Sequence, residues 1–196
     1  MTRQPEYGVP ASIRNRYPEE RFDFGAPARN LPSDVTVAGD TAAVDAAGLF
    51  STTVTLDRTA DLALRYTFEA EVEDVSRQRI ANRASLVIHP AAFYVGLGVR
   101  DRFVNASDGA SVAVVAADVN GRAVPGAQVT VALIREQWNS VRTAQGQGFY
   151  EWETTRTEVP AGSWTVTTGA EPVNLAIPVP EGGSYVIRAT AQDAEG

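Results

Sequence analysis

The stretch Tyr66–Asp74, YTFEAEVED, recurs in outline at Tyr185–Asp193, YVIRATAQD. Tyr66, Ala70 and Asp74 return as Tyr185, Ala189 and Asp193, at a constant offset of 119 residues. Both copies alternate with a period of two, the signature of a strand with one wet face. A repeat of about one domain length on strand-like segments implies tandem β-sandwich modules rather than one large fold. The offset also implies a window on a longer chain. The expected division is a loop-rich lead segment over 1–33, belonging to an N-terminally truncated module. The last strands of that module follow over 34–89. A second module covers 90–196 and lacks its last strand.

Around this core signal the strand Leu62–Glu73 is the clearest. Leu62, Leu64, Tyr66, Phe68, Ala70 and Val72 share one parity, and Arg65, Glu69, Glu71 and Glu73 share the other. The next segment alternates too, with Ile80, Ala84, Leu86 and Ile88 against Arg79, Arg83 and Ser85. A loop over Asp74–Gln78 closes the two into a hairpin. In that register Glu73 faces Arg79 and Glu69 faces Arg83 on the wet side, while Phe68 meets Ala84 and Tyr66 meets Leu86 inside.

Upstream, Pro5, Gly8, Pro10, Pro18, Gly25, Pro27 and Pro32 predict loop with at most short strands. Residues Asp34–Leu56 read as strand-like, broken by a turn at Asp45–Gly48. Downstream, strands are expected at Phe93–Leu97, Ser111–Asp118, Gln128–Trp138, Gly148–Thr157, Ser163–Thr168, Val173–Val179 and Ser184–Gln192. Turns are expected at Asn120-Gly121, Pro125-Gly126, Gly146, Pro160–Gly162 and Glu181–Gly183. No segment has helical periodicity. The fold class is all-β, two immunoglobulin-like antiparallel sandwiches.

Composition narrows function. The chain of 196 residues is 44% hydrophobic, enough for packed cores, and has no cysteine, so disulfides and thiolate zinc sites are excluded. Its net charge of −7 argues against nucleic acid as a partner, since phosphate neutralisation needs a basic face. No apolar run approaches the ~20 residues of a membrane helix, so no direct membrane insertion by this chain is expected.

Candidate chemistry has bland counterparts throughout. Glu69, Glu71 and Glu73 could form an acid pair or metal site, but alternation opposite arginines reads as a solvated face. His89 is the single histidine and precedes Pro90, which suits a strand end. Asp118–Gly121 and Asp193–Gly196 superficially resemble calcium loops, yet lack the alternating ligand series and distal glutamate. Trp138, Trp152 and Trp164 could line a sugar platform; core or interface packing is preferred, because each lies in a strand. Asn105-Ala-Ser107 matches a glycosylation acceptor, a short signal. No catalytic, cofactor or metal residue is assigned, no cofactor is expected, and the chain is read as not being an enzyme.

Several stretches taken in order resemble bacterial alpha-2-macroglobulin family proteins. They are Glu69–Gly98 (EAEVEDVSRQRIANRASLVIHPAAFYVGLG), Val114–Val124 (VVAADVNGRAV), Val129–Arg142 (VTVALIREQWNSVR), Tyr150–Glu153 (YEWE) and Gly182–Gly196 (GGSYVIRATAQDAEG). The resemblance spans about residues 62–196. It implies macroglobulin-like sandwiches in the frame of a large periplasmic or extracellular protein, often a lipoprotein anchored to the inner membrane. In such proteins a protease cuts a bait segment, the frame rearranges, and the protease is trapped, in many members with a Cys-x-x-Gln-type thioester. Without cysteine and without a bait-like segment, no trapping residue carries over to this chain. The implied partners are neighbouring macroglobulin-like domains and, through the whole protein, target proteases. Two other readings share the sandwich: an immunoglobulin-like repeat of a bacterial cell-surface adhesin, and an accessory domain of a carbohydrate-active enzyme. Inward placement of Trp164 and Tyr185 predicts that Trp164→Ala or Tyr185→Ala costs about 3–5 kcal/mol, seen as a lowered melting temperature; an unchanged melt would contradict it.

Overall fold

The structure is a computed structural model that describes residues 1–6, 8–18, 21–25, 34–56, 62–146 and 149–194. In chain order the elements are β1 (Thr2–Pro5), α1 (Ala11–Arg16), β2 (Val35–Thr36), β3 (Leu64–Glu73), β4 (Arg79–Ile88) and β5 (Phe93–Val99). Then come β6 (Ala110–Asp118), β7 (Gln128–Gly146), β8 (Phe149–Thr167), β9 (Val173–Ile177) and β10 (Ser184–Ala191). The chain divides into two compact units, Met1–Gly8 with Pro27–Ala92, and Val9–Ala26 with Phe93–Gly196.

In the first unit the described strands make one antiparallel sheet in the order β2-β1-β3-β4. The β3–β4 hairpin has the register that its charges require: Glu73 opposite Arg79, Glu69 opposite Arg83, Phe68 opposite Ala84, Tyr66 opposite Leu86. Arg79 bridges Glu73 at 2.8 Å and Glu71 at 2.9 Å across the wet face. These exposed pairs select the register more than they stabilise it, at ~0.2–1 kcal/mol each. At the tip, one Asp74 carboxylate oxygen accepts the Ser76 and Gln78 amides at 2.8 and 3.0 Å, and Arg77 takes a left-handed φ of 63°.

The expected inward parity holds only at the hairpin's base. Leu64 and Tyr66 are buried, Phe68 is half-buried, and Ala70 and Val72 are exposed. β1 explains the limit: it pairs with β3 only as far as Thr67, so beyond that point the hairpin is a two-stranded ribbon. The region Asp34–Leu56 is likewise corrected. It contributes only Val35–Thr36 to the sheet, although the turn at Asp45–Gly48 forms, with Asp45 accepting the Ala47 and Leu49 amides.

The second unit is a sandwich of two three-stranded antiparallel sheets, β10-β7-β8 and β5-β6-β9. Its inner layer packs Val112 and Val114 of β6 against Val129, Val131 and Leu133 of β7, with Val166 and Ile177. β6 reads ASVAVVAAD, a continuous apolar run, because its other face is buried too. Val115 and Ala117 on that face meet Ile13 of α1, Tyr17 at its C-terminal end and Phe22 further along the chain. Residues 1–33 are therefore not one loop-rich lead. Thr2–Pro5 pairs in the first sheet, and Val9–Ala26 covers the second unit. Ile13 and Tyr17, one helical turn apart, are buried to 0% and 5% exposure.

Glycines make that cover possible. Asp23 and Leu97 exchange backbone hydrogen bonds, both 2.8 Å, beside β5. A Cβ on Gly96 would lie 2.6 Å from the Phe24 ring, and one on Gly98 would lie 2.7 Å from the Arg21 carbonyl. The VGLG of β5 is thus a notch for Phe22 and Phe24. Tyr17 packs edge-on against Phe22, with ring centroids 5.4 Å apart.

Two further expectations change. The strands expected at Gly148–Thr157 and Ser163–Thr168 run together as one long strand, β8 (Phe149–Thr167), with Gly148 outside the described residues, and Pro160–Gly162 is not a turn. Leu133 pairs with Gly162 and Ile134 with Pro160, which leaves Ala161 as the extra residue of a β-bulge. A bulge tolerates Pro and Gly inside a strand for the same reason a turn does, since it needs no regular ladder bond there. The repeated stretches also differ in setting: β3 lies between two strands, whereas β10 pairs only with β7.

Gly98→Ala should cost about 1–3 kcal/mol in denaturant unfolding by pushing the Arg21 backbone off β5; wild-type stability would mean the segment packs elsewhere. Hydrogen bonds from Gln78 and Ser76 hold the Asp74 carboxyl below its ordinary value of 3.8. A depressed carboxylate stabilises above the unfolded value and loses that contribution as pH falls through the folded value. The tip should therefore loosen only in strong acid, and Asp74→Asn should remove the pH dependence of the Ser76 and Gln78 amide shifts. Titration of Asp74 at or above 3.8 by NMR would contradict this.

Candidate functional site

The acidic row of β3 is a solvated face: Glu71 and Glu73 both serve Arg79, and Glu69 stands opposite Arg83. His89 is half-buried just past the end of β4. Asp118–Gly121 is a turn whose carboxylate is consumed locally. Asp118 Oδ1 accepts the Asn120 and Arg122 amides at 2.9 and 2.8 Å. Gly121 there has φ 77°, and a Cβ would strike the Ser12 carbonyl of α1, while Ser12 Oγ donates to the Val119 carbonyl at 2.7 Å. The turn is a seat for the helix. Of Asp193–Gly196, Glu195 and Gly196 lie outside the described residues.

Asn105 and Ser107 close on Asp108 at 2.9 and 3.1 Å, and these hydrogen bonds hold the Asp108 carboxyl below its ordinary range. An open depression of about 500 Å³ lies beside them, rimmed by Asp101 and by Phe103, which is 96% exposed. It is open to solvent and offers no enclosed wall in which a substrate would be buried. Among the described residues, no group of three or more His, Asp or Glu side chains is placed to hold a metal ion, and no helix is long and apolar enough to cross a membrane.

The tryptophans part company. Trp164 packs against the inner layer of the sandwich, opposite Val131. Trp138 and Trp152 are 58% and 64% exposed, which corrects the expectation of core packing for both. They lie on the β7–β8 ribbon beyond the sandwich, where Trp138 pairs with Arg156 and Trp152 with Arg142. Directly opposite residues of an antiparallel pair share a face, so all four are on one side. Ser140 and Thr154, the pair between them, are hydrogen-bonded at 3.0 Å.

The sequence carries this arrangement as two words, WNSVR at Trp138–Arg142 and WETTR at Trp152–Arg156. In antiparallel register each Trp of one W-x-(S/T)-x-R word meets the Arg of the other. Reading the words as a pair in antiparallel register would have found the surface; reading each tryptophan alone did not. Where the ribbon leaves the sandwich, Arg156 is held by Glu136 and, at 2.9 Å, by Glu158, which also takes Arg188 at 3.1 Å. The Arg156 guanidinium lies 5.9 Å from the Trp138 ring centre. The arrangement can present two aromatic faces to a partner.

No curated protein matches this sequence. Among solved structures, Salmonella alpha-2-macroglobulin reacted with methylamine is similar over 97% of this chain and 13% of its own, at 18% identity and a TM-score of 0.59. The native conformation of E. coli alpha-2-macroglobulin aligns over 97% and 12%, at 17% identity and 0.56. The E. coli protein activated by porcine elastase aligns over 97% and 17%, at 20% identity and 0.55. At these identities the likeness is one of fold, and the chain spans only a small fraction of these relatives' length. Residues 98–196, half of the chain, match the family described as bacterial macroglobulin domain 6. The sandwich with its glycine-notched β5, its helix-seating turn and its long β7–β8 ribbon belongs to the bacterial macroglobulin family.

Proposed function

We propose that this chain supplies frame modules to a bacterial alpha-2-macroglobulin-like protein that traps proteases of broad specificity outside the cytoplasm. The observation that carries this reading is the family match over residues 98–196, on a sandwich whose polar clusters are absorbed in turns and ion pairs. A frame transmits rearrangement by moving rigid bodies, and the doubly covered β6 provides one. The chain itself is not an enzyme and uses no cofactor in this reading. Its partners are neighbouring macroglobulin-like domains, and proteases are met through the whole protein. The surrounding compartment is the periplasm or the cell exterior. The adhesin alternative explains a sandwich but not the family match. The carbohydrate-module alternative is supported by Trp138 and Trp152 sharing an exposed face and weakened by Trp164 packing half-buried against the core.

The full-length parent, mixed with unrelated endopeptidases, should suppress cleavage of a large protein substrate while sparing that of a small peptide. Small-angle scattering should show compaction once the parent is nicked. The 196-residue chain alone should do neither. A nicked parent of unchanged shape that leaves protein digestion unaffected would overturn the proposal.

A further inference from the structure

Beyond Glu136 on β7 the ribbon has no second layer: Gln137–Arg142 and, across from them, Trp152–Thr155 are exposed on both faces. A two-stranded ribbon standing alone is marginal in water. This one nevertheless places two tryptophans on one face, four residues apart along the strand direction, about 14 Å. Tryptophan and arginine are the residues that dominate binding hot spots. Here they are pre-organised, since Arg156 is fixed by Glu136 and Glu158 and lies over Trp138. At Arg156 little side-chain entropy remains to be lost on binding.

We infer that the Trp138–Trp152 face is a docking surface for a segment of the parent polypeptide outside residues 1–196, an apolar edge that buries both indoles. This rests on the reading of the chain as a frame module. The length of chain available supports that occupant: the match takes up only 12–17% of the related structures' chains, so most of such a protein lies outside it. A tethered segment meets the face at an effective concentration in the millimolar range, enough for a modest patch to stay covered. A sugar platform fits less well, because Arg156 is already committed to two carboxylates and the third tryptophan packs half-buried against the sandwich core.

Peptide-resolved hydrogen–deuterium exchange on the isolated chain and on the full-length parent tests this. Amides of 137–142 and 152–156 should exchange at least tenfold more slowly in the parent. Trp138→Ala combined with Trp152→Ala should return them to the isolated rate in the parent, while leaving the melting of the isolated chain nearly unchanged. Equal exchange in the two proteins would overturn the inference. So would protection of the isolated chain that rises with its concentration, which would mark a second copy as the occupant, or protection by soluble β-glucan or N-acetylglucosamine oligomers, which would mark a glycan. Loss of trapping with protection intact would sink the functional reading alone; trapping without protection would sink only the docking surface.

Discussion

The second unit depends on β6 being dry on both faces. Val112 and Val114 face the β7–β8 layer, and Val115 and Ala117 face Ile13, Tyr17 and Phe22. A strand in an antiparallel sandwich ordinarily keeps one face in water, so an apolar run of this kind demands a third layer. The Val9–Ala26 segment is that layer. Two independent accommodations fit it: the Gly96/Gly98 notch on β5 and the Asp118–Gly121 turn that receives Ser12. The N-terminal stretch is part of this unit's core although it is remote in sequence.

What was legible followed from local, periodic signals. The β3–β4 register could be derived because only one pairing sets Glu73 against Arg79 and Glu69 against Arg83 while keeping Phe68 and Ala84 on the other side. Most strand positions in the second unit were visible from alternation between turn residues: the expected Phe93–Leu97 and Ser184–Gln192 are found as Phe93–Val99 and Ser184–Ala191. What failed depended on distant partners. Alternation tells which residues share a face and not whether anything covers it, so Val72 and Ile80 were assigned inward but are 54% and 76% exposed. Helix α1 is six residues long, too short for periodicity to register, and holds because β6 receives Ile13. Pro160-Ala-Gly162 has turn chemistry and became a bulge because the strands on either side remain paired with β7.

The surface at Trp138 and Trp152 was hidden for a related reason. Single tryptophans in strands are ordinarily buried for the most part, and Trp164 packs half-buried against the core. The difference is set by the bulge and by the length of the hairpin. Val129, Val131 and Leu133 on β7 point into the sandwich, and the strand then runs on past the edge of the facing sheet. Beyond that edge an identical alternation addresses solvent on both faces. Trp138 has the opposite parity from Leu133 on β7, and the extra residue at Ala161 turns Trp152 to the other face from Trp164 on β8.

The exit point of the ribbon also shows why it can act as an arm and not a loose flap. Glu136 and Arg156 have side chains only 14% and 17% exposed, so their ion pair is screened less than those on the β3–β4 hairpin. Glu158 extends it to Arg188 on β10, which ties all three strands of the sheet together where the sandwich ends. Partly buried charge pairs tolerate little displacement, because separating them strands charge in a poor solvent. Motion of the ribbon is therefore coupled to motion of the whole sheet, and a partner bound at its outer face would pull on the sandwich as one body.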